Sequence, residues 1–212
     1  MSKRSVLAVA AVALVGIGAL VSSGFQGGPE KFAVVDMNKV MNDSKKGQKT
    51  REFLQGNFRQ RTGVLEFLNA NDVATDEQAT KLRQLSLKEN PSDQDKADVE
   101  KVKDDIKKAV KNFNDLNLKT SPTPEDRNVL ETLNARRSAI KEKIIPAMQK
   151  EFDEEFNELN RKMQGDLLAA AKEAVKEAAG KKAVTMVFES SVVMFSANDL
   201  TEDAVKAMNA KG

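Results

Sequence analysis

Thr120-Ser-Pro-Thr-Pro124 separates two long apolar seams, and that separation decides the fold. Two prolines within three residues stop a helix, while Thr123 followed by Pro124 supplies an N-cap and a first-turn proline for the next one. Upstream, Val99, Val102, Ile106, Ala109, Phe113 and Leu116 alternate at three and four residues, the spacing of a coiled-coil seam. Pro91 stops whatever precedes that helix, and Ser92 or Asp93 can cap it. Downstream, Leu130, Leu133, Ile140, Ile144, Met148, Phe152, Phe156, Leu159, Met163 and Leu167 mark a return helix from Pro124 to about Ala179. At 1.5 Å per residue it would be about 80 Å long. Pro146 falls inside it, where a missing N–H and a ring clash predict a bend.

Further outward the pattern changes period. Val40, Met41, Phe53, Leu54, Phe58, Leu65 and Leu68 predict an amphipathic helix from about Asn38, roughly 30 residues long. Asn69 to Thr75 breaks it, and Asp72 or Thr75 can cap a short helix from about Asp76 to Leu87. Before all of these, Lys31-Phe-Ala-Val-Val-Asp-Met37 is too short for a helix and rich in β-branched residues, so it reads as one buried strand. Gly180 is expected to close the return helix. Ala183 to Phe188 and Val192 to Phe195 then predict a hairpin turning at Glu189-Ser-Ser191. Asn198 or Asp199 can cap a last helix, Thr201 to Asn209.

The expected fold is α+β and mostly α: a three-stranded β-body, residues 31–37 and 183–212, and a long antiparallel helical hairpin, residues 38–182. The hairpin carries a break near 70–92 and its turn near 119–124. The strand before the hairpin can be buried only beside the strands after it. Three strands and one small helix bury little by themselves, so oligomerisation through sheet edges is expected.

Composition narrows the chemistry. The chain has no Cys, His, Trp or Tyr, and only 5% of its residues are aromatic against 31% charged. Without His or Cys there is no imidazole or thiolate for a catalytic triad or a soft metal site, so neither an enzyme nor a cofactor is expected. Asp153, Glu154 and Glu155 read as a solvated helix face, and Ser190-Ser191 as a turn. Lys3 and Arg4 followed by the apolar stretch Val6 to Val21 resemble an export signal, residues 1–23, cut near Ser23 and Gly24, with 24–30 as a linker. Those two cations account for the whole excess of 34 basic over 32 acidic side chains. The remainder is electrically balanced, which argues against a nucleic-acid partner.

Phe32-Ala-Val-Val-Asp-Met-Asn-Lys-Val-Met-Asn-Asp-Ser-Lys-Lys-Gly-Gln-Lys49, the following Phe58-Arg-Gln-Arg61, Val184-Thr-Met-Val-Phe-Glu-Ser-Ser-Val-Val-Met-Phe195 and Asn198-Asp-Leu-Thr-Glu-Asp-Ala-Val-Lys206 resemble the Skp/OmpH family of periplasmic chaperones. The order of signal, strand, helical hairpin, strands and short helix agrees as well. The resemblance implies a periplasmic homotrimer that holds unfolded outer-membrane or other exported proteins, without ATP, in a cavity between helical arms, with a lipid surface as a further partner. Phe32, Val34, Val35, Val184, Val187, Val193 and Phe195 would form the oligomeric body. Two features depart from the family: the balanced charge, where cationic arms are the pattern, and an extra stretch from about Asn71 to Asn90.

Seam residues are expected to pack, with Phe152, Phe156 and Met163 against Phe53, Phe58 and Leu65. Phe67 and Met148 are read as lying off the seams and as candidates for client contact, because flexible Met and broad Phe rings suit many partners. The rival reading is a membrane-anchored coiled-coil spacer of the cell envelope with the initial segment uncleaved. The mass of the exported protein separates the two.

Overall fold

The computed structural model describes residues 31–211, so the expected signal and linker lie outside the described residues. The elements are β1 (Phe32–Val35), α1 (Met37–Asp43), α2 (Lys45–Ala70), α3 (Asp76–Ser86), α4 (Asp93–Asn117), α5 (Pro124–Ala139), a π turn (Ile140–Ile144), α6 (Ile145–Lys181), β2 (Met186–Glu189), a 3-10 turn (Ser190–Val192) and α7 (Thr201–Asn209). The described residues form two compact units, one of Asp43–Ala170 and one made of residues 31–42 with 171–211. Among the described residues no helix is long and apolar enough to cross a membrane.

The helical unit, Asp43–Ala170, starts its helices with side-chain caps. Thr75, Ser92 and Thr123 each accept the backbone N–H three residues on, and Gln78, Asp95 and Asp126 reach back to the cap N–H, making three capping boxes. Pro124 stands in the first turn of α5, where it loses no helical hydrogen bond. Ser44, fully buried, caps α2 through a 3.0 Å bond from the Gly47 N–H. The helix expected to run unbroken from Asn38 is therefore two helices, because Ser44 satisfies a helix start more strongly than it continues a helix.

The core of this unit draws on four helices and the π turn: Val64 and Leu68 of α2, Ala74 of the following loop, Ala79 and Leu82 of α3, Val102 and Ile106 of α4, Ile140 of the turn, and Met148 and Phe152 of α6. Nearer the α4–α5 connection, Val73, Phe113 and Leu133 form a second cluster. The segment 71–90 is thus part of a packed bundle, and α3 is buried through Ala79 and Leu82. The return helix passes Pro146 by widening. Ile145 donates to the carbonyl of Ile140, five residues back, ahead of a proline that has no N–H to give the Glu142 carbonyl.

In the other unit the sheet has two strands, paired in parallel with Phe32 opposite Met186 and Val35 opposite Glu189. The hairpin expected over 183–195 is not formed. Ser190–Val192 coil into a 3-10 turn, and Val193, although extended (φ −123°, ψ 121°), has no ladder partner among the described residues. The far edge of β1 is held by Asn198–Leu200, with Val34 N–H donating to Asn198 O at 2.8 Å and Leu200 N–H to Val34 O at 2.9 Å. Val192, Met194 and Phe195 stay largely exposed among the described residues, and a strand without a face to bury gains too little to form.

The end of α6 also differs from expectation. Gly180 lies within the helix, and the left-handed residue is Ala183, at φ 53°. Val184 N–H bonds to Ala179 O and Ala183 N–H to Gly180 O, the paired bonds of a Schellman stop.

Candidate functional site

β1 and β2 are apolar on both faces. Ala33 and Val187 point to one side, where Ala33, Ala179 and Leu200 are buried together with Val184 and Val187 at the margin. Phe32, Val34, Met186 and Phe188 point to the other, following the period-two alternation of a strand. The Phe32 and Phe188 rings meet there at 6.1 Å between centroids, a diagonal cross-strand contact. Parallel strands normally have both faces covered. Here one face has its helices, while Phe32, Met186, Phe188, Val192, Met194 and Phe195 remain exposed, Met194 and Phe195 almost completely. Phe32, Ala33, Val34, Phe188, Val192, Val193 and Phe195 line an open hollow of about 550 Å³ on this side.

The frame behind this face is polar and closely tied. Asp36 caps α1 by accepting from Lys39 N–H at 2.8 Å, and both carboxylate oxygens of Glu189 accept from Met37 N–H at 3.3 Å. Thr201, buried, accepts from Asp36 N–H at 2.9 Å, joining the start of α7 to the end of β1 across 165 residues of sequence. Asp199 accepts from Thr201 N–H at 2.8 Å; the bonds from Thr201 hold its carboxyl below the usual 3.8. In Asp199-Leu200-Thr201, then, one residue satisfies the helix start, the next fills the core and the third grips β1.

Of the expected body residues, Val34 and Val35 are buried, Val184, Val187 and Val193 are half-buried, and Phe32 and Phe195 are exposed. Phe32, Val34, Val193 and Phe195 converge on the hollow. Met186 and Phe188 share this strand face and Val192 lines the hollow, although the expected body residues do not include them. The contiguous apolar runs Met186-Val-Phe188 and Val192-Val-Met-Phe195 were a signal for them, since an unbroken run leaves apolar residues on both sides of an extended chain.

In the helical unit, Phe58 meets Phe156 at 5.6 Å, as the seam expectation has it, yet Phe58 and Phe53 keep 55% and 41% of their surface exposed. Phe67 is half-buried at the edge of the core, with the Lys103 ammonium 5.9 Å above its ring. Met148 is in the core at 6% exposed, packed with Ile140 and Phe152 as its four-residue spacing from Ile144 and Phe152 on the seam expects, which corrects its reading as an off-seam client contact.

Exposed Phe side chains on a charged bundle and an apolar sheet face define a protein that works through contact surfaces. The family model described as outer membrane protein (OmpH-like) matches residues 31–208, and this chain belongs to that family. It is a family of periplasmic chaperones for outer-membrane proteins, whose members are chaperones and not enzymes, and a general chaperone role follows for this chain. No curated protein matches the sequence.

Proposed function

We propose that this protein is an ATP-independent holdase of the periplasm, exported by a signal cleaved near Ser23, that keeps unfolded outer-membrane proteins soluble inside a homotrimer. The observation that carries the proposal is the uncovered apolar face around Phe32, Phe188 and Phe195, in a chain of a chaperone family. A second and third copy would bury that face and supply a sheet partner for extended Val193 to Phe195. The helical units would act as arms around a client cavity, with Phe53, Phe58 and the open edge of Phe67 as contact points. Met148 would support them from within. Shallow apolar contacts exchange quickly one by one, and several arms acting on one client raise overall affinity through effective concentration.

The test is light scattering after size exclusion, with an unfolded outer-membrane β-barrel protein diluted from urea. The full chain is expected to elute as a trimer carrying one client. Because Phe58 and Phe156 are adjacent, residues 59–155 can be replaced by a short glycine-rich turn. The shortened chain is expected to remain a trimer and lose client protection. A monomer that leaves the client to aggregate, or a shortened chain that protects as well as the whole, contradicts the reading. An exported mass that retains residues 1–23 points instead to the anchored spacer.

A further inference from the structure

The ties of α3 straddle the π turn of the return helix. Ahead of α3, Asp72, only 15% exposed, accepts from Arg137 Nε and pairs with Lys141 Nζ, each at 2.7 Å. Arg137 ends α5, and Lys141 lies within the turn. In the last turn of α3, Arg83 binds Glu151 and Glu155, the latter at 2.6 Å, and both are on α6 beyond Pro146. Between these anchors Ala74, Ala79 and Leu82 pack in one cluster with Ile140, Met148 and Phe152. Arg61 of α2 reinforces the far anchor, bonded to Glu155 at 3.2 Å. The guanidinium carbons of Arg61 and Arg83 lie 5.6 and 5.3 Å from the Phe152 ring centroid. Thus α3 and its leading loop run along the return helix, with about 10 Å of helical rise from Asp76 to Arg83, and are fastened on both sides of its weakest point.

A π turn next to a proline is where a long helix yields, because its hydrogen bonds are poorer and one amide is missing. Bending there must change the separation between the Arg137–Lys141 side and the Glu151–Glu155 side. We infer that α3 with its leading loop is a splint, holding the return helix in one fixed bend at Ile140–Ile144. Without it the return helix becomes two halves joined at Pro146.

The chain has no cysteine, so Glu131→Cys and Glu158→Cys, both exposed and flanking the turn, give a clean spin-label pair. Labelled chain is refolded with excess unlabelled chain, so that each assembly carries one pair, and the distance distribution is measured by pulsed electron resonance. The splint predicts one narrow peak in the otherwise unchanged protein. Asp72→Asn with Arg83→Gln removes the anchors and spares the apolar packing; it is expected at least to double the width, or add a second peak, with helical circular dichroism retained. Lys111→Ala, which removes an ion pair of α4 alone, is expected to leave the peak unchanged. If the double variant does not fold, 1 M salt on the otherwise unchanged protein screens the same anchors and is expected to broaden the peak. A distribution already broad at low salt overturns the inference, as does one that stays narrow in the double variant or, where that variant fails to fold, in 1 M salt.

Discussion

The helical unit and the sheet-bearing unit place their apolar side chains differently. In the helical unit Leu68, Ala79, Leu82, Ile106 and Ile140 are completely buried by residues of the same chain, and three capping boxes satisfy the helix starts around them. In the other unit Leu200 and Ala33 are just as buried, yet Phe32, Met186 and Phe188 on the opposite sheet face, and Val192, Met194 and Phe195 after it, stay exposed. One unit completes its core internally, and the other stops halfway. The difference teaches that local stability and assembly can be assigned to separate parts of one chain, and so can be broken separately.

The largest expected effect is on assembly. Phe188→Asp together with Phe195→Asp would bury two carboxylates in the proposed contact, and light scattering should report loss of the trimer while helical circular dichroism is retained. If the double variant stays trimeric, the open face is not the assembly surface. Next comes Leu82→Ala, which removes a fully buried side chain from the helical core and should cost about 2–5 kcal/mol in urea unfolding of that unit. Its assembly should be unchanged, which is the sharpest check that the two units are energetically distinct.

A smaller effect is expected at Asp72. Burial pushes its carboxyl up, but the hydrogen bonds and charges of Lys141 and Arg137 outweigh this and hold it below the ordinary 3.8. A lowered folded-state value means stability that is present above the unfolded value and lost as pH falls through the folded one. Asp72→Asn should therefore cost about 1 kcal/mol at pH 7, and the difference from the parent protein should vanish as pH is taken below 3.8. A difference that persists in acid would mean the ion pairs are not its source. The smallest change is a gain: Ala183→Gly removes the left-handed penalty at φ 53° and, after the added chain entropy of glycine, should stabilise by about 0.5 kcal/mol in thermal unfolding.

Much of this architecture is legible in local sequence. Thr75, Ser92 and Thr123 announce their helices because a cap acts within three residues, and Pro91, Pro122 and Pro124 punctuate them. Ser44 was legible in principle, since Asn42-Asp-Ser44 places three cap-forming residues together inside an otherwise helical pattern. The hairpin failed because two apolar runs over 183–195 report a need for cover and not the partner that covers them. The edge of β1 went instead to Asn198–Leu200, a polar stretch with no strand signature. For the candidate site, the sequence brought Phe32, Val34, Val193 and Phe195 forward together, and all four line the hollow beside the sheet. Met148 lies on the seam by its spacing from Ile144 and Phe152 and is buried there, so its choice as a client contact on side-chain flexibility alone fails.

By itself the sequence determined that this is a mostly helical chain with a small β element, that one helix begins at Thr123, that two others begin at Thr75 or Asp72 and at Ser92 or Asp93, and that no imidazole or thiol is available. Those properties rest on side chains acting on their own backbone neighbours, or on composition. Only the tertiary structure decided that β1 and β2 run parallel, that α3 is bound to both sides of the π turn, and which sheet face remains open. Each depends on residues far apart in the chain, Arg83 with Glu151 or Asp36 with Thr201, whose meeting is set by packing of the whole unit and is encoded at neither position.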